Sequence, residues 1–208
     1  MINISGKIPK EAYLAVSGGL DSMVGLDFLR RSKTRSLEVL HFNHGTAHSN
    51  DAEEFVRSKC KSLGLKLFVG KIKTKKDRRE SQEEYWRRER YSFFENFNDK
   101  KIITFHHLND QIETYIFTML NGNEMLIPHQ RDNYLRPFVL TSRSRLEDWA
   151  RSKNVEYIDD PSNFNTKYSR NLIRHELIPL VKKINPGIEK VVKKKVLNKI
   201  FITDNYLV

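Results

Sequence analysis

A single cysteine, Cys60, is the scarcest informative residue of this chain. With one thiol, the 208 residues can form neither an internal disulfide framework nor a cysteine-rich metal site. Cys60 lies in a segment where Phe55, Val56 and Leu63 recur at helical spacing, which predicts a buried structural thiol. Functions that need paired cysteines, such as iron–sulfur chemistry, are therefore disfavoured.

Long apolar runs are missing as well. No stretch approaches the ~18 apolar residues of a membrane span, and residues 1–10 contain no apolar signal core. The sequence therefore predicts a cytoplasmic protein with no membrane partner. A chain of 208 residues is expected to form one domain, with at most a small extension.

Acidic residues are too few to balance the basic ones. Lys and Arg number 37 against 26 Asp and Glu, which gives a formal net charge of +11. This excess favours a polyanionic partner, because contacts to phosphate supply most of the sequence-independent affinity for nucleic acid. Solvated lysine faces give the same count, so the charge alone leaves both interpretations open.

Short apolar runs alternate with segments of helical periodicity. The predicted strands are 13–16, 37–42, 65–72 and 101–105, and the predicted helices are 21–31, 51–63, 81–97 and 109–120. This alternation predicts an α/β fold, an open and mostly parallel sheet with helices on both faces. We expect a nucleotide-binding domain at residues 1–140 and a helical extension at 141–208, packed on the same core. In such folds ligands bind beyond the carboxyl ends of the strands.

The first apolar run is interrupted by a loop that is rich in small residues. The loop reads Ser17, Gly18, Gly19, Leu20, Asp21 and Ser22. Glycines let a backbone approach an anion, and the start of a helix adds unpaired N–H groups and a partial positive charge. The Walker lysine is absent, and the same residues also make ordinary strand-to-helix turns. On the residues alone, Asp21 is either a helix N-cap or a Mg²⁺ ligand.

The loop resembles the signature of the PP-loop ATPases, and four later stretches narrow the resemblance. "HFNHG" begins at His41, and "ESQEEYWRRERY" carries Arg87 and Arg90. "HHLNDQIET" carries Asp110 and Glu113. The later half runs from "RPF" at Arg136 through "DDPSNFNTKYSRNLIRHELIPLVKKINP". In this order the stretches resemble one branch of the PP-loop ATPases, the tRNA(Ile)-lysidine synthetases, and the resemblance covers residues 12–187.

This resemblance implies an enzyme that uses ATP to adenylate the C2 oxygen of the wobble cytidine in the CAU anticodon of tRNA(Ile). The ε-amine of L-lysine then attacks C2 and expels AMP. The resemblance implies Mg²⁺ as cofactor with Asp21 as its ligand, and the relatives admit a homodimer. The implied catalytic residues are Asp21, Asp110, Glu113 and Arg174. The implied nucleotide-binding residues are Ser17, Gly18, Gly19, Leu20, Asp21, Ser22, His41 and Asn43. The implied tRNA- or substrate-binding residues are Arg87, Arg90, Asn163, Arg170, Asn171 and Arg174.

One position departs from the family pattern. Asn109 stands where the family usually has Asp, so it can cap a helix but brings no charge. The chain also resembles a minimal form without the C-terminal domains of longer relatives. A non-catalytic tRNA-binding relative is therefore the alternative. A related tRNA thiolase is disfavoured by the single cysteine, and NAD or GMP synthetases fit the basic charge less well.

Overall fold

The computed structural model describes residues 2–161, 166 and 169–205, without the side chains of 202–205. In the first half of the chain, strands and helices alternate. The elements are β1 Glu11–Ala15, α1 Leu20–Arg30, β2 Ser36–Asn43, α2 Ala47–Leu63, β3 Leu67–Lys71, α3 Gln82–Phe94, β4 Lys101–Ile103 and α4 Leu108–Leu120. Two short strands follow, β5 Gln130–Arg131 and β6 Tyr134–Leu135.

The strands form one sheet in the order β3-β2-β1-β4-β6-β5. All neighbouring pairs are parallel except β5 and β6, and Ala15 of β1 stands in register with Leu40 of β2. Alternate residues of β1 enter different cores: Ala12 and Leu14 pack with α1 and α2, whereas Tyr13 packs with Phe94 of α3. Helices therefore cover both faces of the sheet, and the predicted fold class is confirmed.

The C-terminal part of the described chain is helical. It comprises α5 Arg143–Lys153, α6 Ser169–Leu172, a π-helical turn Ile173–Leu177, α7 Ile178–Ile184 and α8 Ile188–Asn205. Helix α5 packs on α1, where Trp149 Nε1 donates to Asp27 Oδ2 at 3.0 Å. Helices α7 and α8 share a second core with α4, to which Ile112, Ile178 and Val192 contribute.

Pro179 lies within a helical segment that it neither ends nor visibly interrupts, although a proline there predicts a kink or a stop. Helical structure runs from residue 169 to residue 184, and the turn before the proline is π-helical. Proline lacks an N–H and cannot make the usual bond to the residue four positions earlier. The wider turn accommodates this, because the Ile178 N–H bonds to the Ile173 carbonyl, five residues back.

Within the described part of the chain, none of the helices combines the length and the apolar character that a membrane crossing requires.

Candidate active site

The loop between β1 and α1 is held by the Ser22 hydroxyl. Ser22 Oγ accepts hydrogen bonds from the backbone N–H groups of Ser17 at 3.1 Å and Gly18 at 3.2 Å, and donates to the Gly19 carbonyl at 3.0 Å. An oxygen therefore already sits where two neighbouring N–H groups converge. The loop has the form of an anion cradle before any ligand enters it.

Helix α1 begins directly at this cradle. Its N-cap is Gly19, which has no side chain to accept from the first turn. The N–H groups of that turn, together with the helix dipole, favour an anion at this end. Gly18 has φ +95°, a backbone conformation that suits glycine. Its carbonyl accepts from the Ile158 N–H at 3.0 Å, so the segment after α5 closes against the loop.

A cavity of about 410 Å³ opens beside the cradle at the carboxyl edge of the sheet. This is the size of a small-molecule site. Among the side chains that line it are Ser17, Leu20, Asp21, Ser22, His41, His44, Arg90, Tyr91, His106, Asp110, Asp160 and Arg174. The structure thus brings most of the nucleotide-binding residues predicted from the sequence together with Asp110, Arg90 and Arg174. Folding joins segments that are far apart in the chain.

His107 lies buried between two carboxylates. Its Nε2 is 3.5 Å from Asp21 Oδ1, and its Nδ1 is 3.3 Å from Asp110 Oδ2. Burial by itself would lower the pKa of His107, but the charges of Asp110 and Asp21 raise it to about 9. The neighbouring carboxylates therefore favour the protonated form of His107. This side chain joins the start of α4 to the start of α1.

The same histidine begins helix α4. Its Nδ1 faces the Asp110 N–H at 3.2 Å, and the Asp110 carboxylate accepts from the His107 N–H at 2.8 Å. The two residues thus form a reciprocal cap. A neutral ring that accepts at Nδ1 would present its Nε2 proton to Asp21, and a second proton on Nδ1 would face the Asp110 carboxylate. The site therefore accommodates both protonation states.

Glu113 and Arg174 form a bidentate ion pair. Arg174 Nε donates to Glu113 Oε1 at 2.6 Å and Nη2 donates to Oε2 at 2.9 Å. Arg174 Nη2 is also 3.6 Å from Asp110 Oδ1. Burial would lower the pKa of Arg174, but the hydrogen bonds and charge of Glu113 raise it. Both Glu113 oxygens are therefore engaged, whereas Asp110 and Arg174 reach the cavity wall.

Arg90 is a guanidinium that lines the cavity without an acidic partner. Its Cζ lies 5.8 Å from the centre of the Tyr91 ring. None of the described residues forms an ion pair or hydrogen bond with it, and burial lowers its pKa. A half-buried cation of this kind favours an anion beside it. Arg90 therefore adds an anion-attracting group to the cavity wall.

Other residues predicted from the sequence lie away from the cavity. The Asn43 amide donates to Asn50 at 3.0 Å and to Glu53 at 2.7 Å, and accepts from the Gly45 N–H. The amide nitrogen and oxygen of Asn43 are therefore both engaged in holding the turn after β2. Arg87 is exposed on α3, with Cζ 4.6 Å over the Tyr91 ring.

The remaining predicted residues belong to the C-terminal part and to β2. Arg170 is exposed on α6, and Asn171 beside it is half-buried. Asn163 lies outside the described residues. His41 is buried, with Nδ1 2.8 Å from the Val16 carbonyl. This bond aligns the end of β2 with the start of the cradle.

Asn109 has a structural role that the sequence did not suggest. It does not cap α4, since His107 does so. Its Oδ1 accepts from the Arg143 N–H at 2.9 Å, at the start of α5, where the N-cap residue Ser142 makes no side-chain cap bond. A neutral amide satisfies a backbone donor there. Asn109 thus ties α4 to α5.

Sequence reasoning also missed His107 and Ile158. As adjacent histidines, His106 and His107 suggest at most a metal site, and no zinc is predicted there. The described residues contain no group of three or more His, Cys, Asp or Glu side chains placed to hold a metal ion. The signal for His107 is its position three residues before Asp110, the spacing of a reciprocal cap. No local signal marks Ile158.

Comparison with known proteins extends these observations. A family profile described as a PP-loop domain matches residues 3–181. A tRNA(Ile)-lysidine synthase of Thermotoga maritima is 34% identical over 202 residues, covering 90% of this chain and 49% of that protein. Another, from Persephonella marina, is 36% identical over 192 residues, covering 85% and 42%. The chain therefore spans about half the length of the curated relatives it matches.

Solved structures agree on the fold. A U34-tRNA thiolase of Methanococcus maripaludis superposes with a TM-score of 0.69 at 16% identity, covering 93% of this chain and 72% of that one. An NH₃-dependent NAD synthetase of Campylobacter jejuni gives a TM-score of 0.55 at 13% identity, with coverage of 94% and 88%. At these identities the likeness concerns architecture alone. The matched profile, which spans most of the chain and includes the cradle, establishes that this chain belongs to the PP-loop domain family.

Proposed function

We propose that this chain catalyses ATP-dependent ligation of L-lysine to C2 of cytidine 34 in the CAU anticodon of tRNA(Ile). The observation that carries the proposal is the identity of 34–36% to tRNA(Ile)-lysidine synthases across 85–90% of this chain. The residues matched by the PP-loop profile, 3–181, include those that line the cavity. The cradle, the free guanidinium of Arg90 and the carboxylate of Asp110 suit a site that holds ATP beside an amine and an RNA base.

The cradle supplies the grip on the departing pyrophosphate. The N–H groups of Ser17 and Gly18 already converge on one oxygen, that of Ser22. A phosphate oxygen of ATP would take over these donors and leave the Ser22 hydroxyl free to donate to it. The uncapped start of α1 adds partial positive charge where negative charge develops as the bond between α and β phosphates breaks.

Asp21 is the proposed holder of Mg²⁺. Its Oδ1 is buried and faces His107 Nε2 at 3.5 Å without a hydrogen bond, while the side chain as a whole is a third exposed at the cavity wall. Mg²⁺ commonly takes one or two carboxylates and completes its shell with phosphates and water, so this donor set fits. When bound, the ion would neutralise charge on the phosphates. His107 on the other side of Asp21 keeps that carboxylate fixed toward the cavity.

Asp110 is the proposed anchor of the lysine amine. It faces the cavity, and although burial would raise its pKa, the charge of His107 keeps that pKa lowered, so the carboxylate stays ionised. The neutral amine attacks C2 of the adenylated cytidine and a C–N bond forms. The C2–O bond breaks as AMP departs with the oxygen, and the proton that the attacking nitrogen loses passes to the Asp110 carboxylate. Glu113 positions Arg174, since its oxygens are both engaged. Arg174 then faces the anionic leaving group.

The RNA side of the site is assigned to basic residues around the cavity. Arg90 lines the wall, and Arg170 is exposed on the helix that carries Arg174 four residues later. Asn171 and Asn163 belong to the same proposed surface by the resemblance. The net charge of +11 favours a polyanion over a small neutral acceptor.

The test is incubation of the protein with Mg-ATP, radiolabelled lysine and a tRNA(Ile) transcript with a CAU anticodon. Label in the tRNA supports the proposal. No label, under conditions where a longer relative works, overturns it. Exchange of ATP with pyrophosphate but no transfer would indicate a different acceptor, and RNA binding with no exchange would indicate the non-catalytic alternative.

Asp21→Ala should abolish ATP turnover while tRNA binding persists. The matched control is Asp51→Ala, which removes an exposed carboxylate of α2. Equal loss of turnover and tRNA binding would indicate that Asp21 acts only as a structural residue. The homodimer stays a prediction, and sedimentation of the purified protein over a range of concentrations tests it.

A further inference from the structure

A basic loop leaves the carboxyl edge of the sheet beside the cavity. We use the term basic loop for residues 73–79, which connect β3 to α3. Strand β3 is parallel to β2 and lies two positions from β1 in the sheet. Strands are spaced by about 4.8 Å, so the start of this loop stands roughly 10 Å from the end of β1 along the edge. Both the cradle and the basic loop therefore open on the same side of the molecule.

The basic loop carries charge that the protein itself does not neutralise. Its cations, all exposed, are Lys73, Lys75, Lys76, Arg78 and Arg79. None of these side chains forms an ion pair within the described part of the chain. The one acidic residue, Asp77, accepts from the Arg79 N–H at 2.9 Å. An unpaired cluster of this density favours a polyanionic partner.

The backbone of this loop is clamped from below by α3. The buried carboxylate of Glu89 accepts from the N–H groups of Lys73 at 2.8 Å and Thr74 at 3.1 Å. The Tyr85 hydroxyl donates to the Thr74 carbonyl at 2.6 Å. Hydrogen bonds from Thr74 and from these N–H groups lower the pKa of Glu89 to about 2 even against burial, so the clamp stays charged.

Arg88 completes the clamp. It donates to Thr74 Oγ1 at 3.0 Å and pairs with Glu80 at 3.0 Å, just past the loop. Two fixed points on either side hold the intervening cations in a limited volume. Ordering a flexible loop normally opposes binding, and contacts that already fix both ends of this loop lower that cost. The clamp therefore gives the charge cluster a defined shape.

Helix α3 connects the basic loop to the cavity. Arg87 stacks on Tyr91 with Cζ 4.6 Å from the ring centre, and Tyr91 and Arg90 line the cavity wall. Cations followed by an aromatic ring form the arrangement in which RNA is held, since phosphates pair with the cations and unstacked bases lie on rings or guanidinium planes. A lipid surface or an acidic peptide would make no use of the ring at the cavity mouth.

From this arrangement we infer that the basic loop is a docking surface for the phosphate backbone of the RNA whose base enters the cavity. The inference rests on the proposed function for the identity of the RNA. The loop holds the strand from the β3 side while the cavity takes the reacting base. Contacts of this type position the RNA and do not read its sequence.

The test measures binding of a tRNA(Ile) transcript to the whole protein as a function of salt. The loop variant replaces four cations with serine: Lys75→Ser, Lys76→Ser, Arg78→Ser and Arg79→Ser. The matched control removes the same charge from four exposed lysines near the amino ends of the strands, away from the cavity: Lys7→Ser, Lys10→Ser, Lys33→Ser and Lys61→Ser. The loop variant should bind at least about tenfold more weakly near 0.1 M salt. The slope of log Kd against log salt should fall by roughly 3, since each phosphate that the protein no longer neutralises lowers it by about 0.7–0.9.

A second variant separates charge from shape. Tyr85→Phe keeps every cation but removes the bond to the Thr74 carbonyl. It should weaken tRNA binding by a few-fold while the salt slope stays that of the wild type. ATP affinity should be unchanged in both variants, because neither touches the cradle. Loop and control variants that bind alike would overturn the inference.

The two proposals fail in different ways. Lysine transfer by the wild type, together with loop and control variants that bind alike, rejects the basic loop as a docking surface and leaves the proposed function intact. No lysine transfer, together with selective loss of binding in the loop variant, rejects the proposed reaction and retains the docking surface. A wild type that binds no tRNA at all rejects both.

Discussion

The Glu113–Arg174 pair allows the sharpest test of the site, because it joins α4 to the C-terminal helices. The change is Glu113→Gln, which keeps the size of the side chain and one acceptor oxygen but removes its charge. The Glu113 side chain is 2% exposed and that of Arg174 is 27% exposed. Breaking a fully buried pair costs about 3–5 kcal/mol. The partial exposure of Arg174 and the nearby Asp110 carboxylate reduce this cost. We therefore expect Glu113→Gln to lower the free energy of unfolding by about 2–3 kcal/mol.

The assay is urea unfolding followed by the fluorescence of the 2 tryptophans at pH 7. In thermal unfolding of a domain of this size, the same loss of unfolding free energy corresponds to a decrease in Tm of roughly 5–10 °C. The matched control is Glu147→Gln, which breaks the exposed pair with Arg143, whose atoms are 3.1 Å apart. Exposed pairs of this spacing contribute about 0.3–0.5 kcal/mol.

A double-mutant cycle with Arg174→Met isolates the interaction from other effects of each change. We expect a coupling energy of about 1–3 kcal/mol between Glu113 and Arg174. If Glu113→Gln costs no more than Glu147→Gln, or if the coupling is below about 0.5 kcal/mol, the reasoning is refuted. The pair would then be a contact without energetic weight, and Glu113 would be free to bind lysine itself.

Other changes probe the cradle and its surroundings. Gly18→Ala forces a residue with a Cβ into φ +95° and should lower the free energy of unfolding by about 1–2 kcal/mol. It should also weaken ATP binding measured by calorimetry, and a wild-type ATP affinity would contradict this. Gly25→Ala places a Cβ into the Phe105 ring. The overpacking cost of about 1–3 kcal/mol should exceed the ~1 kcal/mol gained in helix propensity, so the variant should be less stable than the wild type. A more stable variant in urea unfolding would be inconsistent with this packing. His107 has a raised pKa of about 9, so its contribution is complete below pH ~6.5 and is lost as pH rises through 9. Unfolding free energies between pH 6.5 and 9.5 should therefore fall by up to about 3 kcal/mol in the wild type and by less in His107→Asn, and parallel profiles would argue against this account.

The helix and strand pattern was accessible from the sequence because its signals are local. After the exposed Glu11, the strand Glu11–Ala15 is a continuous apolar run, as expected when both faces of a parallel sheet are covered. The predicted start of α2, at residue 51, is too late, since the helix begins at Ala47. The apolar period begins only further on, but Thr46 caps the helix by accepting from the Ser49 N–H at 3.1 Å. Capping chemistry, and not periodicity, set that boundary.

Part of the candidate site was equally accessible. The cradle is a contiguous segment, so the order of its residues, read together with the family resemblance, points to it. Asn43 shows the limit of this reasoning, since its motif position suggested nucleotide binding and its amide instead holds the turn after β2 with Glu53. A motif gives the residues of a region but not which of their atoms are already engaged.

The sequence by itself determined the parallel sheet, the anion cradle after β1 and the basic charge. Each of these follows from local pattern, from composition or from the resemblance of contiguous motifs. Only the tertiary structure decided that His107 lies against Asp21, and that Glu113 pairs with Arg174, 61 residues away. Contacts of this kind depend on how distant elements pack, and no local signal encodes them. The charge that each group carries in the site depends in turn on those neighbours and on burial, so the chemistry of the site could be settled only once the chain was folded.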